Sequence, residues 1–287
     1  MKGVDNIMLH IINNYAKNTL TASIGETMVL EKPLHGHLSA PSLERRISDR
    51  RISDRRSVET KNMVTIVIPA LNEEQAIGPV IKEIPIVELK KMGYTVQIMV
   101  IDNGSEDKTR YIANTHGANV IVQPIKGYGN AYKAGFANAM GDIIATGDAD
   151  LSYPFCDLPK IIKKMVDENL DFITTDRLTN LKPGAMSRSH YLGNIWFRDI
   201  TKVLFGLPFK DSWSGMWVFK KSIWPKLNVQ SSGMPFSQEL KIEAYKNGFN
   251  CAEVPIAYRA RVGKVKLNTF KDGIGSIFFL IKKRIFR

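Results

Sequence analysis

From Val64 onward, short apolar runs recur along the chain, at residues 64–68, 96–101, 119–122, 143–146 and 172–175, each rich in Val and Ile. Runs of this length and composition read as strands buried on both faces. Helix-like segments lie between them, at 73–84, 108–116, 128–139 and 158–168. The alternation fits βαβ units and predicts an α/β domain around a mostly parallel sheet flanked by helices. In such sheets ligands bind beyond the carboxyl ends of the strands, so the residues just after each run carry the chemistry.

The first 61 residues differ in texture. The patch 8–12 is apolar but short, holds His10 and is followed by Asn13 and Asn14, which does not make a secretory signal. Residues 45–56 contain RRISD twice and then RR, a charge-dense repeat that cannot bury a core. Its bland reading is a solvated segment; the functional ones are a contact with anionic lipid or a basic site for phosphorylation of Ser48 and Ser53. Residues 1–61 are therefore expected to be a weakly ordered leader, 62–270 the folded domain, and 271–287 a basic amphipathic tail.

Charge sharpens this division. The formal net charge is +12 over 287 residues, of which 1–61 carry +3, 259–287 carry +8 and the stretch between only +1. The near-neutral middle argues against a nucleic-acid binder, which would spread basic residues over a face. A basic C-terminus suits an anionic membrane surface or phosphorylated ligands. The apolar block at 274–281 contains Gly275 and Ser276 and falls well short of the roughly 20 residues of a membrane span. Ile274, Ile277, Phe278 and Ile281 share a helical face that Ile285 continues, which fits an interfacial helix or, equally, a helix packed on the domain itself. Cys156 and Cys251 lack any metal-ligand spacing, so a reducing cytoplasm is the default compartment.

The strand ends supply the candidate site. After the first run come Pro69, Ala70, Asn72 and Glu74, where Asn72 can cap the next helix. No glycine fingerprint of a dinucleotide site is present there. After the second come Asp102 and an Asn103-Gly104 turn, with Ser105 or Asp107 available as a cap. Asp102 could accept hydrogen bonds from a base or ribose. After the third, Lys126-Gly127-Tyr128-Gly129-Asn130 offers two glycines and a lysine ahead of a helix, either a phosphate cradle or a simple turn. After the fourth, Asp148-Ala149-Asp150 can bring two carboxylates to one divalent cation, Mg²⁺ or Mn²⁺.

Together VTIVIPALNEE, VIDNGSEDKT, KGYGNA and DADLSYP resemble, in order and spacing, the family 2 glycosyltransferases of the GT-A fold. The likeness is nearest to the polyprenyl-phosphate enzymes of the dolichol-phosphate mannose or glucose synthase type. DSWSGMWVF at 211–219, the helix-like 234–248, EVPI at 253–256 and RVGKVKL at 261–267 extend it to about Leu280. Val265 stands where the family's last element usually has serine, and Ser152 where its mannose synthases often have glutamine.

The resemblance implies an inverting, metal-dependent hexose transfer from a UDP- or GDP-sugar to a polyprenyl phosphate at the cytoplasmic face of a membrane. It implies that Pro69, Ala70, Asn72, Glu74, Asp102, Lys126, Gly127, Asn130, Asp148 and Ala149 hold the donor. Asp148 and Asp150 would hold the cation, and Arg177, Arg261 and Lys266 the phosphates. Asp150, Arg261 and Asp211 would serve catalysis, Asp211 either as a base or as the residue ordering the turn at 212–215. Two alternatives stand beside this: a soluble transferase with a saccharide or small-molecule acceptor, and a non-catalytic nucleotide-sugar sensor. The sequence leaves open whether the chain forms a homo-oligomer.

Overall fold

The computed structural model describes residues 62–263 and 269–285. The expected leader with its RRISD repeat, and Val265 and Lys266 of the basic element, lie outside the described residues.

The chain runs β1 (Met63–Ala70), α1 (Ile77–Glu83), α2 (Ile86–Lys91), β2 (Thr95–Asp102), α3 (Thr109–Thr115), β3 (Asn119–Val122), α4 (Tyr128–Asn138) and β4 (Ile143–Thr146). It continues through α5 (Leu158–Asp167), β5 (Phe172–Asp176), α6 (Arg188–Phe205), β6 (Trp217–Lys220), α7 (Phe236–Lys246), β7 (Cys251–Pro255) and α8 (Thr269–Ile285). The five strands expected from the apolar runs are present. The first helix is shorter than its pattern suggests. It begins only at Ile77 and stops at Ile84, whose extended backbone is what a following proline, Pro85, imposes. Helix α2 then starts afresh.

The seven strands form one mostly parallel sheet in the order β3-β2-β1-β4-β6-β5-β7. β6 is the exception: it lies antiparallel between β4 and β5, with Ile144 opposite Phe219 and Phe172 opposite Phe219 on the other side. Alternation along β1 sends Val64, Ile66 and Ile68 to one face and Val67 to the other. The first face packs α1 and α5 through Ile77, Val80, Ile161 and Ile162. The second packs α4 and α7 through Tyr132, Phe136, Phe236 and Leu240, with Trp217 and Phe219 of β6. Helix α4 lies close to the sheet because position 135 is glycine: a Cβ there would fall 2.3 Å from Val67 Cγ1.

A third cluster joins α6, α7 and α8 through Phe197, Phe205, Ile242 and Leu280. Helix α6 starts at Ser187, whose hydroxyl accepts from the His190 amide, and ends at Gly206 in the left-handed conformation (φ 70°). Residues expected to form a separate tail lie in α8, which begins ahead of position 271 and seats Leu280 fully buried in this cluster, with Ile277 packed beside it. Phe278 and Ile285, from the same apolar set, are instead exposed. Lys283 turns inward: its Nζ lies 2.7 Å from Glu239 Oε1 and 2.9 Å from Glu243 Oε1 on α7, so one cation of the basic end is committed to an internal ion pair.

Candidate active site

Register aligns the carboxyl ends of β1, β2 and β4, since Ala70 pairs with Asp102 and Val67 with Thr146. Because β6 runs the other way, its amino end reaches the same edge and brings the segment 211–215 there. After β7 the chain returns across this edge: the Val262 amide donates to Asp150 O at 2.9 Å and the Arg259 amide to Ser152 O at 3.0 Å. These bonds hold Arg261 over the loop after β4.

The result is a cleft of about 390 Å³. Of the residues expected at the site, Pro69, Ala70, Lys126, Gly127, Asp148, Ala149, Asp150 and Arg261 line it. Asp148 and Asp150 form its acidic floor. Asp148 Oδ1 is buried and has no hydrogen-bond partner among the described residues. Burial, reinforced by the neighbouring Asp150 charge, pushes the Asp148 carboxyl up to about 7, against the opposing pull of Arg177 and Arg261. Asp150 is better supplied. Its Oδ1 accepts from the Ser152 amide and hydroxyl, and its Oδ2 lies 3.1 Å from Arg261 Nη2. Ser152 is thus a partner of Asp150. Among the described residues no group of three His, Cys, Asp or Glu side chains is arranged as a metal centre. Two carboxylates with an unsatisfied buried oxygen nevertheless fit a Mg²⁺ or Mn²⁺ ion that takes its other ligands from a diphosphate and water.

Several expected residues stand back from the cleft. Asn72 does not cap a helix. It sits in the left-handed region (φ 51°), and its Oδ1 accepts from the Glu106 amide at 2.8 Å. Glu74 turns the same way, with Oε2 accepting from the Lys108 amide at 3.2 Å. Asp102 is fully buried, accepts from the Ser105 amide at 3.1 Å and pairs with Arg110 Nε at 3.1 Å. Asn130 bonds Lys126 O. The expected close approach of the Lys126–Gly129 backbone is real, but its partner is protein. Gly127 has φ 140°, and a Cβ on it would lie 2.4 Å from Ser232 O; one on Gly129 would lie 2.4 Å from Ser231 O.

Arg177 and Asp211 are also outside the cleft lining, engaged with each other. Arg177 Nε donates to Asp211 Oδ2 at 2.7 Å and Nη2 to Oδ1 at 3.0 Å, while the Trp213 amide donates to Oδ1 at 3.0 Å. Asp211 is fully buried. Burial alone would raise its carboxyl, but the Arg177 guanidinium and its hydrogen bonds prevail and hold it below the usual range. Lys241, also fully buried, donates to Asp211 O at 2.9 Å, and burial pushes its amine down to about 7. Asn194 of α6 accepts from Arg177 Nη2 at 2.9 Å. Lys266 lies outside the described residues.

The cleft includes residues that pattern reading passed over: Leu71, Glu73, Asn103, Tyr128, Ala131, Gly233 and Met234. Glu73 replaces Glu74 at the rim, 3.8 Å from Arg261 Nη2, because the left-handed turn at Asn72 shifts the phase of the residues after it. Asn103 organises the wall: its amide donates to Gln123 O and Ile125 O, and its Oδ1 accepts from the Gly127 amide at 2.7 Å. Burial, with Asp148 adding to it, pushes the Tyr128 hydroxyl well up, so it stays protonated beside the acidic floor. A residue able to make both donor and acceptor bonds immediately after a strand end was the available signal for Asn103.

This sheet order, with paired aspartates at the end of β4, defines the GT-A glycosyltransferase class. The chain belongs to glycosyl transferase family 2, whose family model matches residues 65–227. Among curated relatives, the low-salt glycan biosynthesis hexosyltransferase Agl6 of Haloferax volcanii is 35% identical over 76% of this chain. The alignment spans about half (53%) of that protein's length. The dolichyl-phosphate hexose transferase of the same organism is 34% identical over 73% of this chain and 89% of its own. Among solved structures, glucosyl-3-phosphoglycerate synthase from Mycobacterium tuberculosis, in complex with Mn²⁺, uridine diphosphate and glucosyl-3-phosphoglycerate, superposes with a TM-score of 0.61 at 21% identity. That match covers 88% of each chain.

Proposed function

We propose that this glycosyltransferase moves a hexose, with inversion, from a UDP- or GDP-sugar to a polyprenyl phosphate at a membrane surface. The observation that carries the reading is the Asp148–Asp150 pair on the cleft floor, one oxygen of which is buried without a partner. A Mg²⁺ or Mn²⁺ ion held by these two carboxylates would neutralise the charge that develops on the departing nucleoside diphosphate.

The chain's own groups supply the rest. Lys126 and Arg261 line the same cleft as the acidic floor and would bind donor or acceptor phosphates. Asn103 holds the Lys126–Gly127 wall in register with β2. Asp102 and Asn72 support the loop that would carry the nucleoside. Asp211 is a positioning residue: paired with Arg177 and held ionised, it is badly placed to take a proton. A phosphate acceptor needs no such base, because its second pKa lies near ~6 and it arrives largely deprotonated. Positioning and charge screening suffice. The name of the Haloferax dolichyl-phosphate hexose transferase supports a lipid-phosphate acceptor, and the complex of the mycobacterial synthase supports a uridine nucleotide with Mn²⁺. No helix among the described residues is long and apolar enough to cross a membrane, so peripheral contact is the mode proposed.

Calorimetric titration of UDP and GDP tests the donor half. One nucleotide should bind with Mn²⁺ present, at least about tenfold more weakly without it, and not measurably to Asp150→Ala. Metal-independent binding of equal strength to that variant would count against the site.

A further inference from the structure

Helix α7 carries two carboxylates one turn apart, Glu239 and Glu243, which are 2% and 3% exposed. Like charges at that spacing repel, and burial makes each costly without a counter-charge. The counter-charge comes from α8. Lys283 Nζ lies 2.7 Å from Glu239 Oε1 and 2.9 Å from Glu243 Oε1, and it donates to Asn228 O at 3.4 Å. With both Oε1 atoms facing the lysine, the Oε2 atoms serve the segment ahead of α7. Glu239 Oε2 accepts from the Gln230 amide at 3.0 Å and the Ser231 amide at 2.7 Å, and Glu243 Oε2 accepts from the Asn228 amide at 3.3 Å. Residues 228–231 belong to no helix or strand, so these carboxylates supply what a ladder would.

The same stretch meets the cleft wall, backbone against backbone. Ser232 O accepts from the Asn130 amide at 3.2 Å. Gly127 and Gly129 approach so closely that a Cβ on them would lie 2.4 Å from Ser232 O and Ser231 O respectively. Lys133 Nζ of α4 donates to Gln230 O at 2.6 Å. No side chain cushions the contact at the two glycines, and close-packed interiors transmit displacement instead of absorbing it. A shift of 230–232 is therefore passed to 126–130. Both stretches run into the cleft lining, one through Gly233 and Met234, the other through Lys126, Gly127 and Tyr128.

We infer that Lys283 is a positioning residue for the donor site. Its ammonium fixes Glu239, Glu239 fixes the 230–231 amides, and that stretch fixes the cleft wall at 126–128 and 233–234. The seating of α8 thus sets donor affinity, although none of its described residues lines the cleft. The effect on affinity rests on the nucleotide-donor reading of the cleft; the coupling between α8 and the wall does not. By linkage, a nucleotide in the cleft steadies α8 in return.

Hydrogen exchange and titration calorimetry on the full chain test this, with UDP and GDP as probes. Lys283→Met keeps the length of the side chain and removes its charge. Without nucleotide, it should speed amide exchange at 228–234 and also at 126–131, while Lys282→Met, a change at the exposed neighbour, should alter neither. With Mn²⁺, Lys283→Met should weaken binding of the favoured nucleotide about fivefold or more and raise the donor KM by a like factor, with kcat within about threefold of wild type. Lys283→Arg should restore both. Leu280→Ala thins the buried cluster of α6, α7 and α8 and should lower Tm, yet it keeps the ion group, so nucleotide affinity well below Tm should stay within about twofold of wild type. Faster exchange confined to 228–231, unchanged nucleotide affinity in Lys283→Met, failure of arginine to restore it, or an equal loss in Leu280→Ala would each overturn the proposal. If the wild type binds neither nucleotide, the donor reading fails, and exchange at 126–131 still decides the coupling.

Discussion

Replacing Arg177 by methionine removes the cation from a buried pair while keeping much of its bulk. In the wild type, Asp211 accepts from Arg177 Nε and Nη2 at 2.7 and 3.0 Å, and from the Arg177 and Trp213 amides at 3.1 and 3.0 Å. The variant keeps the two amide bonds and leaves a carboxylate with no exposed surface lacking its guanidinium. Breaking a buried pair from one side costs about 3–5 kcal/mol. For a domain of this size that is a fall in Tm of roughly 6–20 °C. Asp211→Asn should also destabilise, because Arg177 then loses its counter-charge. The double variant should lose less than the sum of the two by about 1–3 kcal/mol, since neither charge is stranded. Urea or thermal unfolding of the four proteins gives the cycle, and turnover measured well below each Tm gives the chemistry. Asp211→Asn should lower kcat by less than about tenfold, where loss of a general base costs roughly 100-fold or more. An unchanged Tm combined with a loss of kcat of about 100-fold or more in Asp211→Asn would refute the positioning role and make Asp211 the base.

The acidic floor makes donor binding pH-dependent. With the Asp148 carboxyl pushed up to about 7, a cation must displace a proton below that pH, so Mn²⁺-dependent nucleotide affinity should fall about tenfold per unit below pH ~6.5 and level off above ~7.5, as measured by titration calorimetry. The same shift acts on stability: the folded state holds a proton that the unfolded chain releases near 3.8, so metal-free protein should lose stability as pH rises from about 4 to about 7, and Asp148→Asn should remove that slope. Lys241 acts in the opposite sense. Its folded value of about 7 lies below the ordinary 10.5, the unfolded chain binds the extra proton between them, and stability should rise over that interval in the wild type but not in Lys241→Met. Lys283→Met takes the cation from Glu239 and Glu243, both nearly fully buried, and should cost about 3 kcal/mol in urea unfolding while loosening the 228–231 segment, detectable as faster amide exchange there.

Much of the architecture was legible because its signals are local. Short apolar and β-branched runs mark the five strands, and the carboxyl-end rule leads directly to Asp148, Asp150 and Lys126. Elements were missed where the deciding force is tertiary. β6 is only four residues long and is strand because β4 and β5 flank it. Helix α6 mixes polar and apolar positions because one face meets α8 while Leu192, Trp196 and Val203 stand exposed. At the site, reading failed wherever side-chain direction mattered. Asn72 and Glu74 look like residues at the cleft edge, yet a left-handed turn points them at the loop after β2. Gly127 does line the cleft, but the room its missing Cβ leaves is taken by Ser232 O. A sequence also cannot reveal that Arg177 and Asp211, 34 residues apart, neutralise each other.

Transfer of labelled hexose into an organic-extractable product tests the central claim most directly. Purified protein with Mn²⁺ or Mg²⁺ and a panel of labelled nucleotide sugars, with and without a polyprenyl phosphate in detergent, should yield lipid-phase label from one donor. That label should need the metal and vanish in Asp150→Ala. Nucleotide release that ignores the lipid and proceeds with a saccharide acceptor would contradict the account.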